Sequence, residues 1–97
     1  MRKLALIVLM LCQITWYNDS GITFSGYNTV DGVTCAVDPA IIPLGTWLRI
    51  TFLDGEVIYR RAEDTGSAVI GNVVDIYSNQ STENLLEKGR VVAQVEW

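Results

Sequence analysis

The sequence predicts a small, mostly-β barrel of six or seven short strands with one short helix. Three observations carry this. Short runs of Val, Ile, Thr and aromatic residues recur along the chain, Gly, Asp, Asn and Pro interrupt them at close intervals, and only one stretch carries helix-capping signals. Ninety-seven residues, 49% of them apolar and 19% charged, suit one globular domain with a single modest core.

The elements follow in order. Residues 1–12 (MRKLALIVLMLC) set two cations before an unbroken apolar run, the outline of a secretory leader, and predict export; the run is too short for a helix to cross a membrane, which needs about 20 residues. A buried strand is the competing reading of the same run. The domain itself is then expected over residues 13–97. Residues 14–17 read as a first strand closed by Asn18-Asp19-Ser20-Gly21, and residues 22–24 as a second. Residues 33–37 form another β-rich run, stopped at Asp38-Pro39 because proline cannot donate to a ladder. Residues 47–53 and 57–61 flank Asp54-Gly55, a strong hairpin signal. Ser81 is placed to cap a helix ending near Lys88, with Gly89 just beyond it. Residues 91–97 alternate as a last strand, with Val91, Ala93, Val95 and Trp97 on one face.

Charge and composition exclude several functions. Formal net charge is −4 and Lys and Arg are not clustered, so nucleic acid is not a partner. The chain has no histidine, which removes Ser-His-Asp and Cys-His catalysis and His-containing zinc sites. Cys12 and Cys35 fit no metal spacing, and neither a metal nor a cofactor is expected. Chemistry is left to carboxylates, hydroxyls, Lys88 or a thiol.

The stretch AEDTGSAVIGNVVDIY, residues 62–77, is the most informative. Asp75 interrupts a run of strand formers, where aspartate is depleted. On alternation alone it turns outward to water while Val74 and Ile76 face a core. Asp38, Asp64 and Asp75 all lie beside turns at strand ends or within strands, and closing a barrel can gather such positions into one cleft. Carboxylates held close together cannot all ionise freely, so one keeps its proton and can act as a general acid.

Ala36 to Thr46 (AVDPAIIPLGT), Glu63 to Gly71 (EDTGSAVIG) and Val74 to Tyr77 (VDIY), with Ser25-Gly26 before and Gly89-Arg90 after, resemble the three-aspartate or 3D domain family. This family is related to the membrane-bound lytic transglycosylase A catalytic domain and to stationary-phase and resuscitation cell-wall proteins. The resemblance implies a double-psi β-barrel that binds peptidoglycan glycan strands and cleaves the MurNAc-GlcNAc β-1,4 bond to a 1,6-anhydro product. It implies Asp75 as the acid/base, Asp64 and Asp38 as its companions, and Thr65, Gly66 and Ser67 as donors near the sugar. Two positions depart from the family: Ser67 replaces the second glycine after Asp-Thr, and Ile70 stands where lysine is common. A non-catalytic peptidoglycan- or carbohydrate-binding barrel is the alternative, with Trp16, Tyr17, Trp47, Tyr59 and Tyr77 as candidate stacking faces. The Asp-Thr-Gly string also suggests a dimeric aspartic protease, against which stands the polar run Arg60 to Glu63 before Asp64.

Overall fold

A computed structural model describes residues 7–97; Met1 to Leu6, half of the expected leader, lie outside the described residues. Among the described residues six strands and one helix follow in order: β1 (Leu9–Tyr17), β2 (Thr34–Ala36), β3 (Trp47–Phe52), β4 (Val57–Asp64), β5 (Val73–Tyr77), α1 (Thr82–Lys88) and β6 (Val91–Glu96). The strands close into one barrel in the order β1-β5-β2-β4-β3-β6. β1 runs parallel to β5 and β2 parallel to β4, while the other neighbours are antiparallel. These two parallel pairs within a closed ring give the double-psi barrel expected from the sequence.

Closure fills the interior with alternate residues of every strand. Cys12 and Ile14 of β1, Val74 and Ile76 of β5, Leu48 and Ile50 of β3 and Ala93 and Val95 of β6 meet there with Cys35, Ala62, Val37 and Ile42, all fully buried. Helix α1 packs against β1 through Leu85, its one buried residue. The Ser81 hydroxyl accepts the Asn84 N–H at its start, and Gly89 ends it as expected. The β3–β4 hairpin turns at Asp54-Gly55; Asp54 accepts the Glu56 N–H at 2.9 Å, and Gly55 holds φ 92°, which suits glycine.

Two expectations change. Residues 22–24 make no strand: Ile22 forms only an isolated bridge to Asn28, and the Thr23 N–H to Tyr27 carbonyl bond closes a tight turn. Three residues, Ile22-Thr23-Phe24, set between Gly21 and Ser25-Gly26 are too short a run to build a ladder, and Ile22 and Phe24 stay exposed. The first strand, in contrast, starts before residue 14. Leu9 to Cys12 pair antiparallel with Glu96 to Ala93 of β6, and Cys12 is wholly buried. The expected leader boundary after Cys12 therefore falls inside β1. Exposed Leu9 and Leu11 fill the outward positions, so the strand's alternation is hidden in an unbroken apolar run.

Because residues 9–12 are barrel wall, a chain beginning at Gln13 is expected to be less stable than one beginning at Ile7. The loss should match a large-to-small core substitution, roughly 2–5 kcal/mol. Urea unfolding of the two chains measures it, and equal midpoints would show that these residues contribute nothing.

Candidate functional site

Asp75 lies at the middle of β5, with Thr15 of β1 beside it in register and Ala36 of β2 on its other side. Val74 and Ile76 enter the core, so alternation does turn Asp75 outward. What it meets is a cleft of about 270 Å³ rather than open water, lined by Tyr17, Asp19, Ala36, Asp64, Thr65, Gly66, Val69 and Asp75. A larger groove of about 330 Å³, lined by Trp16, Phe52, Val91 and others near α1, contains neither Asp64 nor Asp75.

Asp64 and Asp75 are held differently. Asp64, the last residue of β4, accepts three hydrogen bonds: Oδ1 takes the Phe24 N–H at 3.0 Å and the Thr65 N–H at 2.9 Å, and Oδ2 takes the Tyr17 hydroxyl at 3.3 Å. Asp75 accepts one, from the Thr15 hydroxyl to Oδ1 at 2.8 Å, and its Oδ2 has no donor among the described residues. Burial pushes the Asp75 carboxyl above the usual range. The Thr15 bond and the Arg90 charge oppose this, while the Asp64 charge adds to it. Burial first, then the neighbouring Asp64, drives the Tyr17 hydroxyl well above its ordinary value, so it remains a donor at every ordinary pH.

The loop walls are fixed by further bonds. Asp38 is absent from the cleft lining; its Oδ1 accepts the Ala40 N–H at 3.0 Å and its Oδ2 the Gly71 N–H at 2.9 Å. Those backbone donors, Gly71 foremost, hold the Asp38 carboxyl below its ordinary range. It thus ties the turn at Pro39 to the loop that follows Asp64. Thr65 and Gly66 line the cleft, whereas Ser67 is exposed outside it. A Cβ on Gly66 would sit 3.0 Å from Val69 Cγ2, so a side chain there would push Val69 out of place. Buried Glu63 accepts the Thr34 hydroxyl at 2.8 Å and Arg61 Nη1 at 3.3 Å, and Arg61 lies 4.9 Å from the Tyr27 ring. This network joins the long β1–β2 connection to β4.

The structure thus brings Asp64 and Asp75 together, and the third cleft carboxylate is Asp19 rather than Asp38. Asp19 reads in sequence as a turn residue. Its signal is indirect: it lies two residues past Tyr17, the last residue of the strand that borders β5. Tyr17 is the other cleft residue that was expected only as a stacking face. Among the remaining aromatics, Lys88 Nζ lies over the Trp16 ring at 4.8 Å, Tyr77 is buried with its ring centroid 5.5 Å from that of Tyr17, and Trp47 and Tyr59 are exposed on β3 and β4. Both cysteines are free and buried, and burial pushes Cys12 up to about 11 and Cys35 to about 12, which leaves neither as a ready nucleophile. Among the described residues no group of three or more His, Cys, Asp or Glu side chains is placed to hold a metal ion, and no helix is long and apolar enough to cross a membrane.

Fold and site together define a small closed β-barrel with a pair of unequal aspartates in a cleft on its wall. The chain belongs to the 3D domain family, whose model matches residues 33–97. Among solved structures, the Streptomyces papain inhibitor (SPI) is similar to it, with a TM-score of 0.67 over 92% of this chain and 94% of that chain. At 18% identity that likeness is one of fold. No curated protein matches the sequence.

The two displaced carboxyls set opposite pH dependences. A raised Asp75 value means that the folded chain binds this proton more tightly than the unfolded one, so Asp75 lowers stability above its folded pKa and not below the unfolded value of about 3.9. Asp75→Asn is therefore expected to melt higher than wild type at neutral pH, with the difference vanishing as the solution is acidified through the folded pKa. Asp38 contributes in the ordinary sense, stabilising above the unfolded value and losing that effect as pH falls through its lowered folded value. Asp38→Ala should melt below wild type at neutral pH, with the gap closing in acid. Thermal melts across pH check both signs.

Proposed function

We propose that the protein is a lytic transglycosylase that cleaves the MurNAc-GlcNAc β-1,4 bond of peptidoglycan and leaves a 1,6-anhydro end. Membership of the 3D domain family supports an action on cell-wall glycan. The observation that carries the reading is Asp75: one carboxyl with raised proton affinity, one donor on Oδ1 and an unengaged Oδ2 in a cleft beside a second carboxylate.

That asymmetry suits a reaction in which one group serves as acid and then base. Protonated Asp75 gives its proton to the glycosidic oxygen as the bond from C1 to that oxygen breaks. The MurNAc 6-hydroxyl oxygen then bonds to C1, and its proton passes to Asp75, which restores the starting state. No water is consumed, so no second carboxylate is needed as nucleophile or as activator of water, unlike in a glycoside hydrolase. Asp64 lines the same cleft, and its charge adds to the raised proton affinity of Asp75. Thr65 and Gly66 offer a hydroxyl and backbone groups at the cleft wall, and Asp38 shapes that wall through Gly71. A cell-wall substrate requires the protein to act outside the cytoplasm, and export is part of the proposal. Delivery must then leave Leu9 onward attached, since those residues build β1.

A non-catalytic glycan-binding barrel is the second reading. Ile70, where the family commonly has lysine, is 63% exposed, so that position offers no cation to a substrate oxyanion.

Incubation of the whole chain with peptidoglycan sacculi, followed by mass spectrometry of soluble products, separates the two. Wild type is expected to release anhydro-ended muropeptides, and Asp75→Asn to lower that rate by roughly two to four orders of magnitude, the usual range for a lost acid/base. Binding to sacculi without release by either protein would support the binding barrel and overturn the enzyme.

A further inference from the structure

Of the aromatics expected as sugar-stacking faces, Trp16 carries Lys88 over its ring, Tyr77 is buried, Tyr17 meets Tyr77 edge-on, and Trp47 and Tyr59 stand outside the cleft lining. Phe24 is a sixth aromatic, and its backbone is bonded to the cleft itself. Its N–H donates to Asp64 Oδ1 at 3.0 Å, and Asp64 lines the cleft. The turn that carries Phe24 is fixed on both sides: the Thr23 N–H bonds the Tyr27 carbonyl at 2.7 Å, the Ser25 N–H bonds the Glu63 carbonyl at 3.1 Å, and Thr23 is buried. Phe24 nonetheless remains 73% exposed. Ile22 and Tyr27 of the same turn are exposed too, so Phe24 belongs to an apolar patch and does not stand alone.

We propose that Phe24 is a substrate-contact residue whose ring is the stacking platform for a sugar that extends from the cleft past Asp64. The size of the cleft requires such a platform. At about 270 Å³ it falls below the roughly 300–1,000 Å³ of sites that enclose a small ligand, so it cannot enclose both sugars of a scissile glycosidic bond. One of them must lie over the rim. A pyranose presents a face of C–H bonds, whose slightly positive hydrogens are attracted to the negative face of an aromatic ring. Because the turn is already pinned to β4 by the Phe24 and Ser25 amides, little backbone order has to be gained on binding. The inference rests on the reading of the cleft as a glycan site and does not require that the glycan be cleaved.

The test is calorimetric binding of peptide-free glycan strands from sacculi to the whole chain, wild type and Asp75→Asn, each compared with its Phe24→Ala, Phe24→Trp and Tyr59→Ala forms. Phe24→Ala is expected to weaken binding roughly tenfold, Phe24→Trp to retain it, and Tyr59→Ala, five positions before Asp64 on β4, to leave it unchanged. Unchanged thermal melts of Phe24→Ala show that the fold is retained, since the exposed ring adds little to the core. Equal affinity in Phe24→Ala, an equal loss in Tyr59→Ala, or no binding by either the wild-type or the Asp75→Asn chain overturns the proposal. Turnover of sacculi separates this from the enzyme reading. If wild type releases anhydro-ended fragments, Phe24→Ala should raise KM and leave kcat near wild type, and an unchanged KM would overturn the platform while the enzyme stands. Loss of affinity in Phe24→Ala without release by wild type would uphold the platform and overturn the enzyme.

Discussion

The parallel pairing of β1 with β5 is the constraint on which the rest depends. Its register sets Ile14 beside Val74 and Trp16 beside Ile76 on the core side, and Thr15 beside Asp75 and Tyr17 beside Tyr77 on the other. A shift of one residue would exchange the two faces, burying a carboxylate and exposing Val74 and Ile76. The full burial of Ile14, Val74 and Ile76 therefore holds Asp75 at the cleft as firmly as it holds the barrel together. Stability and the placement of the candidate acid come from the same pairing.

Around that pair the two other aspartates act through backbone amides, and both act at a distance in sequence. Asp64 holds the β1–β2 connection by bonding the Phe24 amide, forty positions away, and the Ser25 amide bonds the neighbouring Glu63 carbonyl. Asp38 holds the far side by bonding Gly71, thirty-three positions away. Short polar side chains suit this work, because a carboxylate accepts several N–H groups and satisfies loop amides that no ladder reaches. Asp64 and Asp38 thereby give the loops their shape, and of the three the one left with an oxygen that has no donor among the described residues is Asp75.

Much of this was legible in the sequence, for physical reasons that differ by element. The Asp54-Gly55 hairpin, the Ser81 cap and the alternation of β6 are local signals, and local geometry decided them. Asp75 stood out because an aspartate within Val-Val-Ile is locally unfavourable. The start of β1 was obscured because Leu9 and Leu11, outward-facing and exposed, carry the same apolar character as buried Cys12 and Ile14. Asp19 and Tyr17 could not be assigned to the cleft from sequence, since their position follows from which strand neighbours β5, a long-range fact. Asp38 shared a motif with the others, yet motif membership does not separate a residue that binds the fold's own amides from one that faces a ligand.

The departure at Ile70 can be placed by the same reasoning. Its neighbour Gly71 is bonded to Asp38, and Ile70 does not line the cleft, so the position belongs to the outer loop rather than to the carboxylate pair. The proton affinity of Asp75 is set instead by burial, by Thr15, by Asp64 and by Arg90. A cation at position 70 would add a solvent-exposed charge, and exposed charges act weakly through water and salt. The features that give one carboxyl its distinct chemistry therefore do not depend on position 70, and what a lysine there would change is the charge of the exposed loop beside the cleft.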